Sequence, residues 1–239
     1  GEDHYFANQG QVQFEKMALA NVSDETRVTH SARLFDLDSD GDLDLFAMRY
    51  QHGDVPPALE NKAAPTCIYN NNRDGSFVDF AKKLGLALAD ISIAASICDD
   101  FDNDRDLDLV IFPVGRNRPI AWVNDRVWQH HFLEADTIGI FISNVLAATS
   151  GDPDGDGDRD LLVFSQEGLQ LFINQGGFRF AHDQGFSNRC AGLRGTSGQF
   201  ADMDNDGDLD IVIADAYRKN GSRGPTVLVN EKGGHLFTD

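Results

Sequence analysis

The sequence is short of cysteine, of basic charge and of long apolar runs, and each shortage closes a class of answer. Three cysteines, Cys67, Cys98 and Cys190, stand far apart in 239 residues. They form no disulfide framework and no C-x-x-C metal spacing; at most one bridge can form, and buried or free thiols are the plain reading. Bases number 20 against 39 acids, a formal charge of −19. Phosphate repels such a chain, which excludes nucleic acid as a partner. No apolar run approaches the ~20 residues of a membrane helix, so no membrane insertion is expected. The longest, Ile138 to Ala148, is interrupted by Ser143 and Asn144. Gly1-Glu2-Asp3 is acidic with no apolar core behind it, so no secretion signal is visible. A nucleophile elbow, a P-loop, a dinucleotide fingerprint and H-E-x-x-H are all missing. Disorder is excluded from the other side, because 41% of residues are hydrophobic and 17 are Phe.

What is present is acid, and it is concentrated. Four segments repeat one pattern: Asp36-Leu-Asp38-Ser-Asp40-Gly41-Asp42-Leu-Asp44, Asp100-Phe-Asp102-Asn-Asp104-Arg105-Asp106-Leu-Asp108, Asp152-Pro-Asp154-Gly-Asp156-Gly157-Asp158-Arg-Asp160 and Asp202-Met-Asp204-Asn-Asp206-Gly207-Asp208-Leu-Asp210. Each carries five aspartates, so the four hold 20 of the 39 acids, and the remaining 19 balance the 20 bases. Two charges about 5 Å apart cost roughly 3 kcal/mol at an effective dielectric near 20. Loops built of such pairs need a cation among them. Ca²⁺ accepts 6–8 oxygens in a flexible shell, whereas Mg²⁺ prefers few carboxylates and several waters. Ligands at loop positions 1, 3, 5, 7 (through the backbone carbonyl) and 9 wrap one ion, with Gly at position 6 for the turn. All twenty aspartates are therefore metal-site candidates, and up to four Ca²⁺ are expected. Arg105 replaces the glycine in the second loop, so the Asp100–Asp108 site is expected to be the weakest or empty.

An EF-hand is excluded. Its position 12 is an acid, and here it is Ala47, Ile111, Val163 and Ile213. These lie in short β-branched or aromatic runs that read as buried strands. Four residues before each loop stands a small residue, Ala32, Ser96, Ala148 or Gly198, the mark of close backbone approach on an innermost strand. After each strand pair comes an Asn, a turn and a Phe: Asn72 to Phe77, Asn124 to Phe132, Asn174 to Phe178 and Asn230 to Phe237, with a further copy at Asn8 to Phe14. These read as hairpins. Helical signals are limited to single turns at Phe80–Leu86 and Lys16–Ala20.

The loops start 64, 52 and 50 residues apart. Periods of that size with about four short strands each indicate an all-β propeller, or a propeller segment, of four four-stranded blades carrying Asp-rich calcium loops. Each unit is expected to run inner strand, loop, second strand, outer hairpin. The chain reads as a single domain over 1–239, with repeats at approximately 8–70, 71–123, 124–173 and 174–239. Five hairpins against four loops fit two arrangements: a segment of a longer array, or a four-bladed ring with one redundant strand pair. An open array would associate with further blades or another chain.

The Asp-x-Asp-x-Asp-Gly-x-x-Asp loops, the apolar strand after each and the Asn-Gly-Phe hairpins resemble FG-GAP/VCBS repeats, those of integrin-α-like β-propellers and their bacterial secreted relatives. Asp202 to Asp210 followed by Ile-Val-Ile-Ala matches most closely. The resemblance runs from about Asn8 to Phe237; Arg105 and the irregular hairpin at Asn124 depart from it. It implies calcium in the loops and a secreted, cell-surface or periplasmic setting. It also implies a role in binding a protein or glycan ligand, or as a scaffold. The alternative it leaves is a carbohydrate-active enzyme of the polysaccharide lyase or sugar dehydratase type.

Other residues carry less. Adjacent His130 and His131 on a strand point to opposite faces and read as structural. Trp122 and Trp128 read as packing, with sugar stacking the alternative. Glu15, Glu25, Glu60, Glu134 and Glu167 include no pair singled out for glycosidase work. The Gly-rich Ala191–Gly198 reads as a loop entering the fourth inner strand.

Overall fold

The computed structural model of the chain describes residues 4–18, 27–51, 66–74, 76–88, 91–126, 129–231 and 237–238. It packs as two compact units, residues 1–92 with 125–130, and residues 93–124 with 131–239.

In the first unit β1 (His4–Asn8) and β2 (Phe14–Ala18) form a two-stranded antiparallel sheet. Lys16–Ala18 is thus strand and not the helical turn expected, because Lys16 and Met17 pair with Phe6 and Tyr5 across the hairpin. Next comes a four-stranded meander of β3 (Arg27–Phe35), β4 (Asp44–Gln51), β5 (Cys67–Asn71) and β6 (Phe77–Asp79).

The second unit holds three further meanders. These are β7 (Ile93–Asp99), β8 (Asp108–Pro113), β9 (Ile120–Asn124) and β10 (His130–Leu133); β11 (Val145–Gly151), β12 (Asp160–Ser165), β13 (Gly168–Asn174) and β14 (Phe180–His182); and β15 (Gly198–Ala201), β16 (Asp210–Tyr217), β17 (Arg223–Asn230) and β18 (Phe237–Thr238). The protein is therefore all-β, with four four-stranded antiparallel sheets. In each, the acidic loop joins the first strand to the second and the Asn/Phe segment turns the third into the fourth. Two short helices that the sequence reading missed, α1 (Ala135–Ile138) and α2 (Gln184–Arg189), bridge consecutive sheets. The Asp183 carboxylate caps α2 by accepting from Phe186 N, which seats Phe186 in the core.

Burial follows strand position. The second strands β8 and β12 are buried at every residue, as continuous apolar runs require when both sheet faces are covered. The fourth strands β6, β10 and β14 are largely exposed. In the second unit one core cluster joins Ile97, Val110 and Phe112 to Leu161, Val163 and Phe172. Another joins Leu162, Phe164 and Leu171 to Ile211 and Ile213. Trp122 is buried, so it packs and offers no sugar platform; Trp128 lies outside the described residues.

The first strands meet most tightly, with β11 lying against both β7 and β15. Ala32, Ser96, Ala148 and Gly198 share one register, each opposite the twelfth position of its own loop at Ala47, Ile111, Val163 and Ile213. A Cβ on Gly198 would sit 2.3 Å from the Val212 carbonyl oxygen and 2.6 Å from the Phe164 ring. No side chain fits there.

Candidate metal centres

All four acidic loops close on one hydrogen-bond pattern. The first carboxylate accepts the backbone N–H of position 6, from Gly41, Arg105, Gly157 and Gly207, at 2.9, 3.0, 3.1 and 3.2 Å. The position-five carboxylate (Asp40, Asp104, Asp156 or Asp206) accepts the N–H of position 7, from Asp42, Asp106, Asp158 and Asp208, at 2.8 to 3.0 Å. Position 6 is left-handed in every loop, including Arg105 at φ 77°. The strain expected of Arg105 is thus present, but its N–H makes the same bond as glycine. Position 4 is left-handed as well, at Ser39, Asn103, Gly155 and Asn205. The enrichment in Asn and Gly was the available signal.

This folding gathers carboxylate oxygens within 4.8 Å of one another: Asp36, Asp38 and Asp40; Asp100, Asp102 and Asp108; Asp152, Asp154 and Asp156; Asp202, Asp204 and Asp206. Asp42, Asp44, Asp104, Asp106, Asp158, Asp160, Asp208 and Asp210 lie outside these triads. The crowding has an electrostatic signature. The position-three carboxyls Asp38, Asp102, Asp154 and Asp204 are all pushed up from the usual carboxylate range. Desolvation is the main cause, and the charge of the position-five neighbour adds to it.

The ninth aspartates Asp44, Asp108, Asp160 and Asp210 are fully buried. They clamp the loop to the third strand by accepting from the backbone N–H of Asn71, Asn124, Asn174 and Asn230 at 3.0, 3.0, 2.7 and 2.8 Å. The first of these asparagines is Asn71, one residue before the Asn72 picked from the sequence. Burial raises Asp44 to about 6, and Asp108 and Asp160 to about 8.

Within the second unit the loops are stitched to the next sheet. Asn174 Nδ2 donates to the Phe101 carbonyl at 2.9 Å, and Asn230 Nδ2 to the Pro153 carbonyl at 2.8 Å. The hairpin Phe178 stacks on Phe101 with ring centroids 5.1 Å apart. Asn103 also donates to the Asp158 carboxylate. The recurring Asn and Phe are therefore inter-sheet contacts as well as turn residues.

A hard cation fits what the loops offer. Among the described residues the groups able to hold a metal are all aspartate, a donor set of oxygen alone. Buried carboxylate oxygens without hydrogen-bond partners remain at Asp38 Oδ1, Asp42 Oδ1 and Asp160 Oδ2. The first loop has a partial substitute that the sequence reading missed: Arg73 pairs with Asp40 at 3.4 Å and Asp42 at 3.2 Å.

At the far end of the second unit's first sheet, away from its acidic loop, lies an open depression of about 780 Å³ lined by Arg116, Asn117, Arg118, Phe132 and Glu134. Arg118 pairs with Asp136 at 2.5 Å and lies 4.9 Å from the Phe141 ring. Cys67, Cys98 and Cys190 are in no disulfide.

Residues 152–213, which take in the third and fourth loops and the strands β12 to β15 between them, match the family model described as FG-GAP-like repeat. The chain thus contains an FG-GAP-like repeat. No curated protein matches the chain. Among solved structures it is similar to an Agrocybe aegerita lectin described for recognition of non-reducing terminal N-acetylglucosamine, at 18% identity and a TM-score of 0.55, over 98% of this chain and 59% of the lectin. It also resembles a Bacillus licheniformis rhamnogalacturonan lyase, at 16% identity and a TM-score of 0.47, over 82% of this chain and 41% of the lyase. The likeness to the lectin is one of fold, and the chain spans about three fifths of the lectin's length.

Proposed function

We propose that the chain is a calcium-stabilised β-propeller, or a segment of one, that serves as a ligand- or partner-binding or scaffold module outside the cell or in the periplasm. The observation that carries this reading is the loop geometry: four loops of one hydrogen-bond pattern, each gathering three carboxylates, with buried oxygens left bare in the first and third. The FG-GAP-like repeat at 152–213 supports it. All twenty loop aspartates belong to the proposed sites, some as ligands and the ninth ones also as clamps. At a free calcium level 100-fold above Kd, each filled site adds about 2.7 kcal/mol to the folded state. Three sites then supply roughly 8 kcal/mol, comparable with a domain's whole net stability. With a Kd of about 10⁻⁵ M that level is about millimolar, which an extracellular or periplasmic medium holds, and this ties the setting to the chemistry. Excess EGTA is expected to lower the melting temperature by more than about ten degrees. A melting curve that chelator leaves in place refutes the reading.

For the ligand, the depression around Arg116, Arg118 and Phe132 offers guanidinium groups beside a half-exposed ring, a chemistry suited to an acidic or neutral glycan. Binding on a glycan array without turnover, reduced by Arg116→Ala, supports a binding module. Turnover of uronic-acid or neutral glycans moves the assignment to the carbohydrate-active enzyme.

A further inference from the structure

We propose that Pro153 makes the loop Asp152–Asp160 the tightest of the four calcium sites, because it leaves Asp160 with an oxygen that no backbone donor satisfies. The inference rests on the calcium reading above and concerns how affinity is shared among the loops.

In three loops the N–H of position 2 donates to the second oxygen of the ninth carboxylate: Leu37 to Asp44 at 2.9 Å, Phe101 to Asp108 at 3.0 Å and Met203 to Asp210 at 2.8 Å. Position 2 of the third loop is Pro153, and proline has no N–H to give. Asp160 Oδ1 still accepts from Asn174 N at 2.7 Å, but Oδ2 is buried without a partner. Asp160 has no exposed surface, and the charges of Asp154, Asp156 and Asp152 all act on it. The bare oxygen thus feels the acidic cluster, beside the triad rather than within it.

Affinity is a difference between the filled loop and the empty one. In three loops the empty state keeps two backbone hydrogen bonds at the ninth carboxylate, and in the third only one. In the third, the empty state leaves a buried carboxyl oxygen without a backbone donor, which is costly. A Ca²⁺ takes carboxylate oxygens directly, so filling this loop removes a penalty absent from the ninth carboxylates of the others; in the first loop, where Asp38 Oδ1 and Asp42 Oδ1 are also bare, Arg73 already supplies a counter-charge. A hydrogen bond to a charged group corresponds to about tenfold in affinity or more. The Pro153 carbonyl accepts from Asn230 Nδ2, and alanine keeps that acceptor while restoring the N–H.

The test is a calorimetric titration of calcium chloride into the full chain after chelator stripping. It compares wild type with Pro153→Ala, with Asp154→Asn marking the third loop and Asp204→Asn the fourth. The expected result is that Asp154→Asn abolishes the tightest step, Asp204→Asn removes a weaker one, and Pro153→Ala weakens the tightest step about tenfold. Asp160→Asn keeps the Asn174 bond and removes the bare oxygen, so it weakens the same step and decides the matter if Pro153→Ala fails to fold. A tightest step that survives Asp154→Asn, or that neither Pro153→Ala nor Asp160→Asn moves, overturns the inference while the calcium reading stands. Wild-type chain that binds no calcium overturns both.

Discussion

In the first acidic loop, Arg73 reaches from the outer hairpin to the Asp40 and Asp42 carboxylates, and Leu37 donates its N–H to Asp44. In the third loop, among the described residues no basic side chain pairs with the aspartates, and Pro153 withholds the equivalent N–H from Asp160. The two loops share sequence spacing, turn geometry and internal hydrogen bonds. They differ in what surrounds the spacing: one carries its own counter-charge and a closed clamp, the other neither. A repeated motif therefore fixes where oxygens converge, while the residues beside it fix how badly they need an ion.

The largest way to test this contrast is pH. Asp160 is pushed up to about 8 and Asp44 to about 6, both chiefly by burial, against about 3.9 for an aspartate in the unfolded chain. Between these values the folded protein holds protons that the unfolded chain has released. Stability is then fully present below about pH 4 and is lost as pH rises through the folded values. Chelator-treated protein is expected to lose several degrees of melting temperature from pH 4 to 8, and saturating calcium to flatten the curve. The fall above pH 6 should shrink in Asp160→Asn and persist in Asp44→Asn; an unchanged slope in Asp160→Asn breaks the comparison.

Next comes the clamp itself, read by urea unfolding without metal. Asp44→Asn sets an amide donor against either the Leu37 or the Asn71 N–H, at a cost of about 2 kcal/mol. Asp160→Asn keeps the Asn174 bond and places its amide where no donor stands, so no such loss is expected. Equal losses in both variants would show that the two ninth aspartates are equivalent after all. A smaller effect belongs to the second loop, where Arg105→Gly relieves a left-handed arginine and should stabilise the chain by about 1 kcal/mol. The smallest is Arg73→Ala, which exposes Asp40 and Asp42 to the ion alone. It should widen the calcium-induced rise in melting temperature by about one degree, since exposed ion pairs contribute little.

Much of this was legible in the sequence for physical reasons. Alternating aspartates around a glycine announce a loop folded on a cation, and the apolar runs after them announce buried strands. Small residues at Ala32, Ser96, Ala148 and Gly198 marked the tightly packed first strands. What escaped depends on partners distant in the chain. Arg73 lies 31 residues from Asp42, and nothing local assigns it there. Asn174 and Phe178 looked like turn residues, because their second role, gripping the loop of the preceding sheet, exists only once two sheets stack. The effect of Pro153 was hidden because it lies in a missing donor, visible only beside three loops that have it. The helix α2 escaped because six residues with an interior glycine carry no periodicity, and Asp183 alone marks its start.

The asparagine grips all point one way: Asn174 of one sheet holds the loop before it, and Asn230 of the next does the same. Such a stack has polarity. Each sheet leans on its predecessor and supports its successor, so damage to one loop is felt first by the neighbour downstream. Loosening should therefore travel toward the C-terminus more readily than toward the N-terminus, as in a row of tiles each hooked over the last.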